Sequence, residues 1–324
     1  MTPDPCNPAR EAGIYILAND CVLEYAKALF RSLRHFNPSI PAYVIPFDGR
    51  MDAIAREARA FRIGIYDAPH ADDLDAMAAA CFGESGAGQR MFRKFTAFWG
   101  PLETFLYLDV DIALLDDPAK LLRVFGRADC DFLSFDCDED RAYLPGPLRD
   151  EMQRLHGSRS FNAGAFLSRR GLFTMEQVRR LAEEARPHQK EFAPYLGDQP
   201  FFNYALDKSG ARHRRLPEVV PHAPEKTWSD RTPIAWREGA YRVLDPASPD
   251  CGKALPFIHW AGHAQGDAFP NRALFYRFRL QGASPWQAAL YKLADRWRWT
   301  VPPLCNRLRH LGKRLLQRLR ILPS

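Results

Sequence analysis

Two aspartates, Asp109 and Asp111, stand directly after the apolar run Phe105-Leu106-Tyr107-Leu108 and directly before Ile112-Ala113-Leu114-Leu115. Carboxylates in so apolar a stretch carry a large desolvation cost unless a cation meets them. A hard divalent ion, Mn²⁺ or Mg²⁺, suits paired carboxylate oxygens and commonly completes its coordination with substrate phosphates and water. The alternative is a solvated strand end whose acids cap the next helix.

Three further segments carry polar groups in apolar surroundings. Phe161-Asn162-Ala163-Gly164-Ala165-Phe166 embeds an amide and a glycine in what reads as a strand, where glycine suits the close approach of a ligand or of backbone. Gly197-Asp198-Gln199 opens a helix with a carboxylate and an amide. His259-Trp260-Ala261-Gly262-His263 ends a late apolar strand and offers an imidazole, a ready third metal ligand. Each has a plainer reading: a bulge, an N-cap at Asp198, and a hydrogen-bonded core histidine.

The elements that must position these residues alternate along the N-terminal half. Short apolar runs at 13–17, 41–47, 62–66 and 105–108 read as strands, and 21–35, 51–61 and 91–99 as helices. Such βα units feed a mainly parallel sheet, and ligands of such sheets sit beyond the carboxyl ends of the strands, where Asp109 and Asp111 fall. Farther on, 131–135, 161–167 and 257–259 read as strands and 174–186 and 198–206 as helices. The Pro-containing stretch 136–160 and most of 217–256 read as loop, and everything after Phe269 as basic helix.

Taken together and in this order, Tyr107-Leu108-Asp109-Val110-Asp111, Phe161-Asn162-Ala163-Gly164, Gly197-Asp198-Gln199 and His259-Trp260-Ala261-Gly262 resemble the GT-A glycosyltransferases of the glycogenin and lipopolysaccharide galactosyltransferase kind, across roughly residues 13–265. The resemblance implies an α/β GT-A fold with a mainly parallel sheet flanked by helices. It also implies a metal ion, Mn²⁺ or Mg²⁺, held by Asp109, Asp111 and His259. Ala18-Asn19-Asp20 at the end of the first strand looks like the family's nucleotide-binding turn, and Arg93-Lys94 like its basic contact before the metal motif. Asn162 and Gly164 would complete the donor site, with Asp198 and Gln199 facing the sugar. The implied reaction is sugar transfer, with retention, from a nucleotide-sugar, a UDP-sugar first of all, to a glycan, lipid or protein acceptor. The chain departs from the family after Gly262, where His263-Ala264-Gln265-Gly266 replaces the usual Lys-Pro-Trp run.

Of the 45 Lys and Arg, twelve fall from Asn271 onward, but only one of the 39 acids, Asp295, does. We therefore divide the chain into a catalytic domain, 1–269, and a basic helical tail, 270–324. Leu304, Leu308, Leu311, Leu315 and Leu319 recur at helical spacing among arginines and lysines, a pattern suited to an anionic membrane surface. The alternatives are a helix packed on the body and, less suited, nucleic acid. No apolar run long enough to span a bilayer occurs, and the opening residues lack a basic region followed by an apolar one, so secretion is not expected. Seven scattered cysteines read as reduced thiols, giving an expected cytoplasmic location, peripheral on the membrane. Two other functions compete: a haloacid-dehalogenase-type phosphatase, whose motif would want a threonine-like residue where Ala113 stands, and a catalytically silent nucleotide-sugar-binding protein.

Overall fold

A computed structural model describes residues 12–83, 87–136, 141–193, 198–227, 232–261 and 270–295. Strand alternation builds its centre. In β1 (Ala12–Ala18), Tyr15 and Leu17 point to one face of the sheet and Ile14, Ile16 and Ala18 to the other, all of them buried. Among the described residues the sheet and its flanks also include α1 (Leu23–Phe36), β2 (Ala42–Pro46), α2 (Asp52–Ala60), β3 (Gly64–Ile65), α3 (Ala71–Phe82), α4 (Ala87–Arg90), β4 (Thr104–Asp109), β5 (Ile112–Leu114), α5 (Ala119–Arg127), β6 (Phe132–Ser134) and α6 (Pro147–His156), followed by β7 (Ala165–Arg169), α7 (Met175–Ala185), α8 (Gln199–Ser209), β8 (His213–Arg215), α9 (Leu216–Val219), β9 (Ile234–Arg237), β10 (Ala240–Val243), β11 (Phe257–His259) and α10 (Arg272–Arg279).

The main sheet has seven strands in the order β3-β2-β1-β4-β7-β6-β8. All pairings are parallel except those of β7, which runs antiparallel to both β4 and β6. The chain leaves β1 toward β2 and β3, then returns to β4 on the other side of β1, so a topological switch point lies between β1 and β4. One face of the sheet is covered by α3, the 3₁₀ helix Met91–Trp99, α7 and α8, through a phenylalanine-rich cluster that includes Phe95, Phe98, Phe166 and Phe202. The other face is covered by α1, α2 and α5, through aliphatic residues such as Leu29, Leu33, Ile54 and Leu122. A third cluster joins the back of α1 to β5, β11, β10 and α10, where Leu274, Phe275 and Phe278 are buried.

Four parts of the sequence reading need correction. The stretch 136–160 contains α6, which starts on Pro147, a residue whose fixed φ suits a first helical turn. The stretch 217–256 contains α9 and the hairpin β9–β10, closed by Glu238 and Gly239, both at positive φ as a tight hairpin turn requires. The strand expected over 161–167 begins only at Ala165, because the backbone before it turns to meet the site described below. Helices α3 and α5 and the short strands β5 and β8 are not anticipated at all. The opening of the basic segment, α10, packs on α1, with Arg279 Nε donating to Glu24 at 2.6 Å. Pro303–Ser324, with the leucine pattern read as an interfacial helix, lie outside the described residues, as do Gly197, Gly262 and His263.

Candidate metal and donor site

Asp109 is the last residue of β4, and its N–H donates to the Gly164 carbonyl at 2.7 Å. Asp111 follows the turn into β5. Antiparallel pairing of β5 with β11 sets His259 opposite Ile112, and the Trp260 N–H donates to the Asp111 carbonyl at 2.9 Å. Two three-residue strands therefore span the long sequence gap and seat His259 Nε2 3.2 Å from Asp111 Oδ1. One ligand atom each from Asp109, Asp111 and His259 lies within 4.8 Å of the others. Ligands about 2 Å from a shared ion stand about 3–4 Å apart, so this donor set fits a divalent cation with little adjustment.

The cradle is closed by Gly164. A β-carbon there would stand 2.3 Å from His259 Cε1, 2.7 Å from Asp109 Oδ2 and 3.0 Å from Asn162 Oδ1. Only a residue without a side chain lets the backbone pass this close. His259 is 2% exposed, and its Nδ1 has no hydrogen-bond partner among the described residues. Tyr107, two positions before Asp109 on the same strand face, donates its hydroxyl to Asp109 Oδ1 at 2.8 Å.

Charge is unevenly distributed here. Burial pushes the Asp109 carboxyl up to about 6, only partly offset by Lys94. Burial also opposes ionisation of Asp111, but the adjoining His259 imidazole outweighs it and holds Asp111 below its ordinary value. For His259 burial disfavours the charged form, and Asp111 prevails to raise it. Lys94, 1% exposed, lies with Nζ 2.7 Å from Asp198 Oδ2 and 3.9 Å from Asp109 Oδ1, and donates to the Ala163 carbonyl at 3.0 Å. Burial opposes its charge, but Asp109 and Asp198 hold the ammonium above the ordinary lysine value. Asp198, raised by burial, stands immediately before α8.

Gln199, the first residue of α8, accepts from the Ala163 N–H at 3.3 Å and donates to the Arg141 carbonyl at 3.2 Å. One turn on, Asn203 accepts from the Phe161 N–H and donates to the Phe161 and Gln199 carbonyls. The irregular backbone of 161–163 thus finds in α8 the partners that a strand neighbour would otherwise supply. Asn162 Oδ1 accepts from the Gly164 N–H at 2.8 Å. Lys94, Asp109, Asp111, Asn162, Gly164, Asp198, Gln199 and His259 accordingly belong to one contiguous network.

The other expected donor residues form a neighbouring group. The register sets Leu17 opposite Asp109, so Ala18, Asn19 and Asp20 continue past the same end of the sheet. The Ala18 carbonyl accepts from the Phe47 N–H at 2.9 Å, and Asn19 donates to Asp48 Oδ2 at 2.9 Å. Asp20 caps α2 from outside, accepting from the Ala53 and Ile54 N–H groups. Arg93 is held by Asp75 at 2.7 Å and Asp72 at 3.1 Å. Asp48 also receives Arg50, whose hydrogen bonds bring its carboxyl down to about 2.

Three residues are missing from the sequence reading: Tyr107 and Asn203, which bond within this network, and Asp136, which borders it, its carbonyl accepting from the Asn162 N–H. Asp136 follows the apolar strand β6 just as Asp109 ends β4, a signal that could have found it. The i, i+2 spacing of Tyr107 and Asp109 was the corresponding signal for the tyrosine.

No protein-family model matches the chain, and no curated protein matches it by sequence. Solved structures do. The galactosyltransferase LgtC, in complex with donor and acceptor sugar analogues, superposes with a TM-score of 0.56 at 16% identity, over 84% of this chain and 96% of LgtC. The apo bifunctional glycosyltransferase WbbM gives 0.54 at 14% identity over 88% of this chain, which spans 52% of the WbbM chain. The fold is that of the GT-A glycosyltransferases. That fold leaves the phosphatase reading of Asp109 and Asp111 without a scaffold.

Proposed function

We propose that this protein is a metal-dependent glycosyltransferase that moves a sugar from a nucleoside-diphosphate donor, a UDP-sugar first of all, to a glycan, lipid or protein acceptor, with retention of anomeric configuration. The observation that carries the reading is the convergence of Asp109, Asp111 and His259 around Gly164 beside the switch point of a GT-A sheet. Those three side chains would hold the ion, Mn²⁺ being suited to mixed oxygen and nitrogen ligands. When bound, it would supply positive charge where a leaving diphosphate gathers negative charge.

The protein's own groups do the remainder. Lys94 ties Asp198 to Ala163, so the carboxylate and the Asn162-Ala163-Gly164 turn keep a fixed spacing beside the metal ligands. Asp198 and Asn162 then orient the sugar, and Gln199 contributes by holding the Ala163 N–H and the Arg141 carbonyl. Asn19, Asp20 and Arg93 would meet the nucleoside, with Ala18 at the end of the strand behind them. Carboxylates fixed by a buried lysine reorganise little as charge develops on the sugar, which favours the transition state over the ground state.

The test is donor hydrolysis and UDP binding with and without Mn²⁺. Asp111→Asn should abolish Mn²⁺-dependent UDP binding while leaving the fold intact, and His259→Ala should weaken it. Unimpaired donor turnover in Asp111→Asn would sink the proposal.

A peripheral membrane location belongs to the same proposal. No helix of the described residues is long and apolar enough to cross a bilayer. The helix over 285–295 exposes Trp286 (71%), Leu290 and Leu293, spaced i, i+4, i+7, and the chain beyond it is basic. Deleting residues 303–324 should release the protein from phosphatidylglycerol vesicles and leave donor hydrolysis unchanged. Undiminished vesicle binding would refute the location.

A further inference from the structure

Asp136 is a buried carboxylate that none of the roles above uses. Its main-chain carbonyl accepts from the Asn162 N–H at 3.2 Å. Its carboxylate reaches Thr227, 91 positions away: Oδ1 accepts from the Thr227 N–H at 2.5 Å and Oδ2 from the Thr227 hydroxyl at 2.7 Å. Thr227, also buried, passes the connection on, its carbonyl accepting from the His259 N–H at 3.0 Å.

We propose that Asp136 is a positioning residue that fixes the metal histidine and the Asn162-Ala163-Gly164 turn to each other through Thr227. This role rests on the reading of Asp109, Asp111 and His259 as a metal site. His259 ends a strand of three residues whose pairing with β5 holds one edge only, and among the described residues no strand pairs with the other edge. The Thr227 carbonyl meets the His259 N–H on that second edge. Without it, a buried donor would go unsatisfied, and the imidazole would lose the constraint that keeps it beside Asp111. A carboxylate suits the task because each of its oxygens accepts one hydrogen bond, so the threonine is gripped by backbone and side chain at once. The same residue holds Asn162, whose own oxygen holds the Gly164 N–H in the cradle. Outer groups of this kind set the geometry, and so the affinity, of a metal site without touching the ion.

Two measurements on Thr227→Val, Asp136→Ala and the conservative Thr227→Ser test the role. The first is hydrogen exchange of the His259 amide in the metal-free protein. The second is Mn²⁺ affinity in the presence of UDP, read by electron paramagnetic resonance, with donor hydrolysis at saturating Mn²⁺ alongside. Thr227→Val keeps size and branching but removes the hydroxyl, so it reports even if Asp136→Ala fails to fold. We expect faster His259 exchange and Mn²⁺ affinity weakened by about 10- to 100-fold in Thr227→Val. Hydrolysis at saturating Mn²⁺ should be nearly unchanged, and Thr227→Ser should stay near the unsubstituted protein. Unchanged His259 exchange in Thr227→Val would overturn the clamp, and faster exchange with unaltered Mn²⁺ affinity would overturn its bearing on the site. An unsubstituted protein that binds no Mn²⁺ with UDP would overturn the metal reading and this role with it; the exchange result tells the two failures apart.

Discussion

At the β4–β11 end of the site, three acids, Asp109, Asp111 and Asp198, face one lysine and one histidine, and burial pushes Asp109 up to about 6. At the β1–β2 end, Asp48, Asp72 and Asp75 are met by Arg50, Arg90 and Arg93, and Asn19 and Asp20 have already given side-chain oxygens to backbone N–H groups. The first end is electrostatically incomplete and gains from a cation. The second is complete as protein, so a donor bound there must share existing ion pairs. The same residue types therefore mean different things at the two ends: an acid short of partners leaves a place for a cation, whereas an arginine rich in them is first of all a strut.

Lys94 gives the largest expected effect. Lys94→Met keeps most of its packing but leaves the buried Asp198, and beside it the part-buried Asp109, without their cation, a loss of about 3–5 kcal/mol by analogy with broken buried pairs. If the β4–β11 end is short of positive charge, Mn²⁺ should raise the variant's melting temperature more than that of the unsubstituted protein. Equal Mn²⁺ responses in the two proteins would break the comparison.

Gly164→Ala should act next most strongly, and on activity more than on stability. The added carbon would press on His259, Asp109 and Asn162 together. A displacement of ligands by about an ångström can cost on the order of a hundredfold in rate, while a forced core methyl costs about 1–3 kcal/mol. Donor hydrolysis and urea unfolding measured together would separate the two, and a fully active variant would remove the cradle from the mechanism.

The incomplete end was also the more legible in sequence. Asp109, Asp111 and His259 stood out because acids and an imidazole bordered apolar strands, and strand pairing is what then brought them together. Gln199 was legible as a site residue, but its bonds to Ala163 and Arg141 were not, since they depend on where backbone lies in space. Arg93 illustrates the limit: the motif located it, but α3, which carries Asp72 and Asp75, went unread because alanines spread around the helix blur the buried stripe of Leu74, Met77, Ala78 and Cys81. The hairpin β9–β10 was hidden by the prolines around it. Asp136 and Thr227 meet across 91 positions, a pairing no local pattern can reveal.

Asp207, near the far end of α8 from Asp198, provides a part-buried acid outside both regions, with the Tyr143 hydroxyl at 2.6 Å. Burial pushes its carboxyl up to about 6. The folded state thus holds this proton more tightly than the unfolded chain. Its favourable contribution is complete below about pH 4 and is lost as pH rises through about 6. Asp207→Asn should therefore stabilise the protein by about 1–3 kcal/mol at pH 7.5 and hardly at all at pH 4. Urea midpoints at the two pH values read this directly, and donor hydrolysis should be unchanged. A stabilisation independent of pH would show that the acid is not held protonated, and would weaken the parallel with Asp109.

Arg93 gives the smallest expected effect and the finest test of the comparison. Its pair with Asp72 lies at the surface and is worth little, while the pair with Asp75 is better shielded. Arg93→Met keeps an unbranched aliphatic stem but removes the guanidinium, and with it the bond that Nη1 donates to the Pro46 carbonyl at 3.3 Å, a modest loss that the fold should survive. If the guanidinium also meets the nucleotide, it binds ground state and transition state alike. The donor KM should then rise, by up to about tenfold, with kcat unchanged. A KM that stays put while urea stability falls would make Arg93 a strut alone, leaving Asn19 and Asp20 as the nucleoside contacts at that end. A fall in kcat with KM constant would point the other way, to an arginine that shifts toward the diphosphate only as the bond breaks, and the division between the two ends would then be one of timing rather than of place.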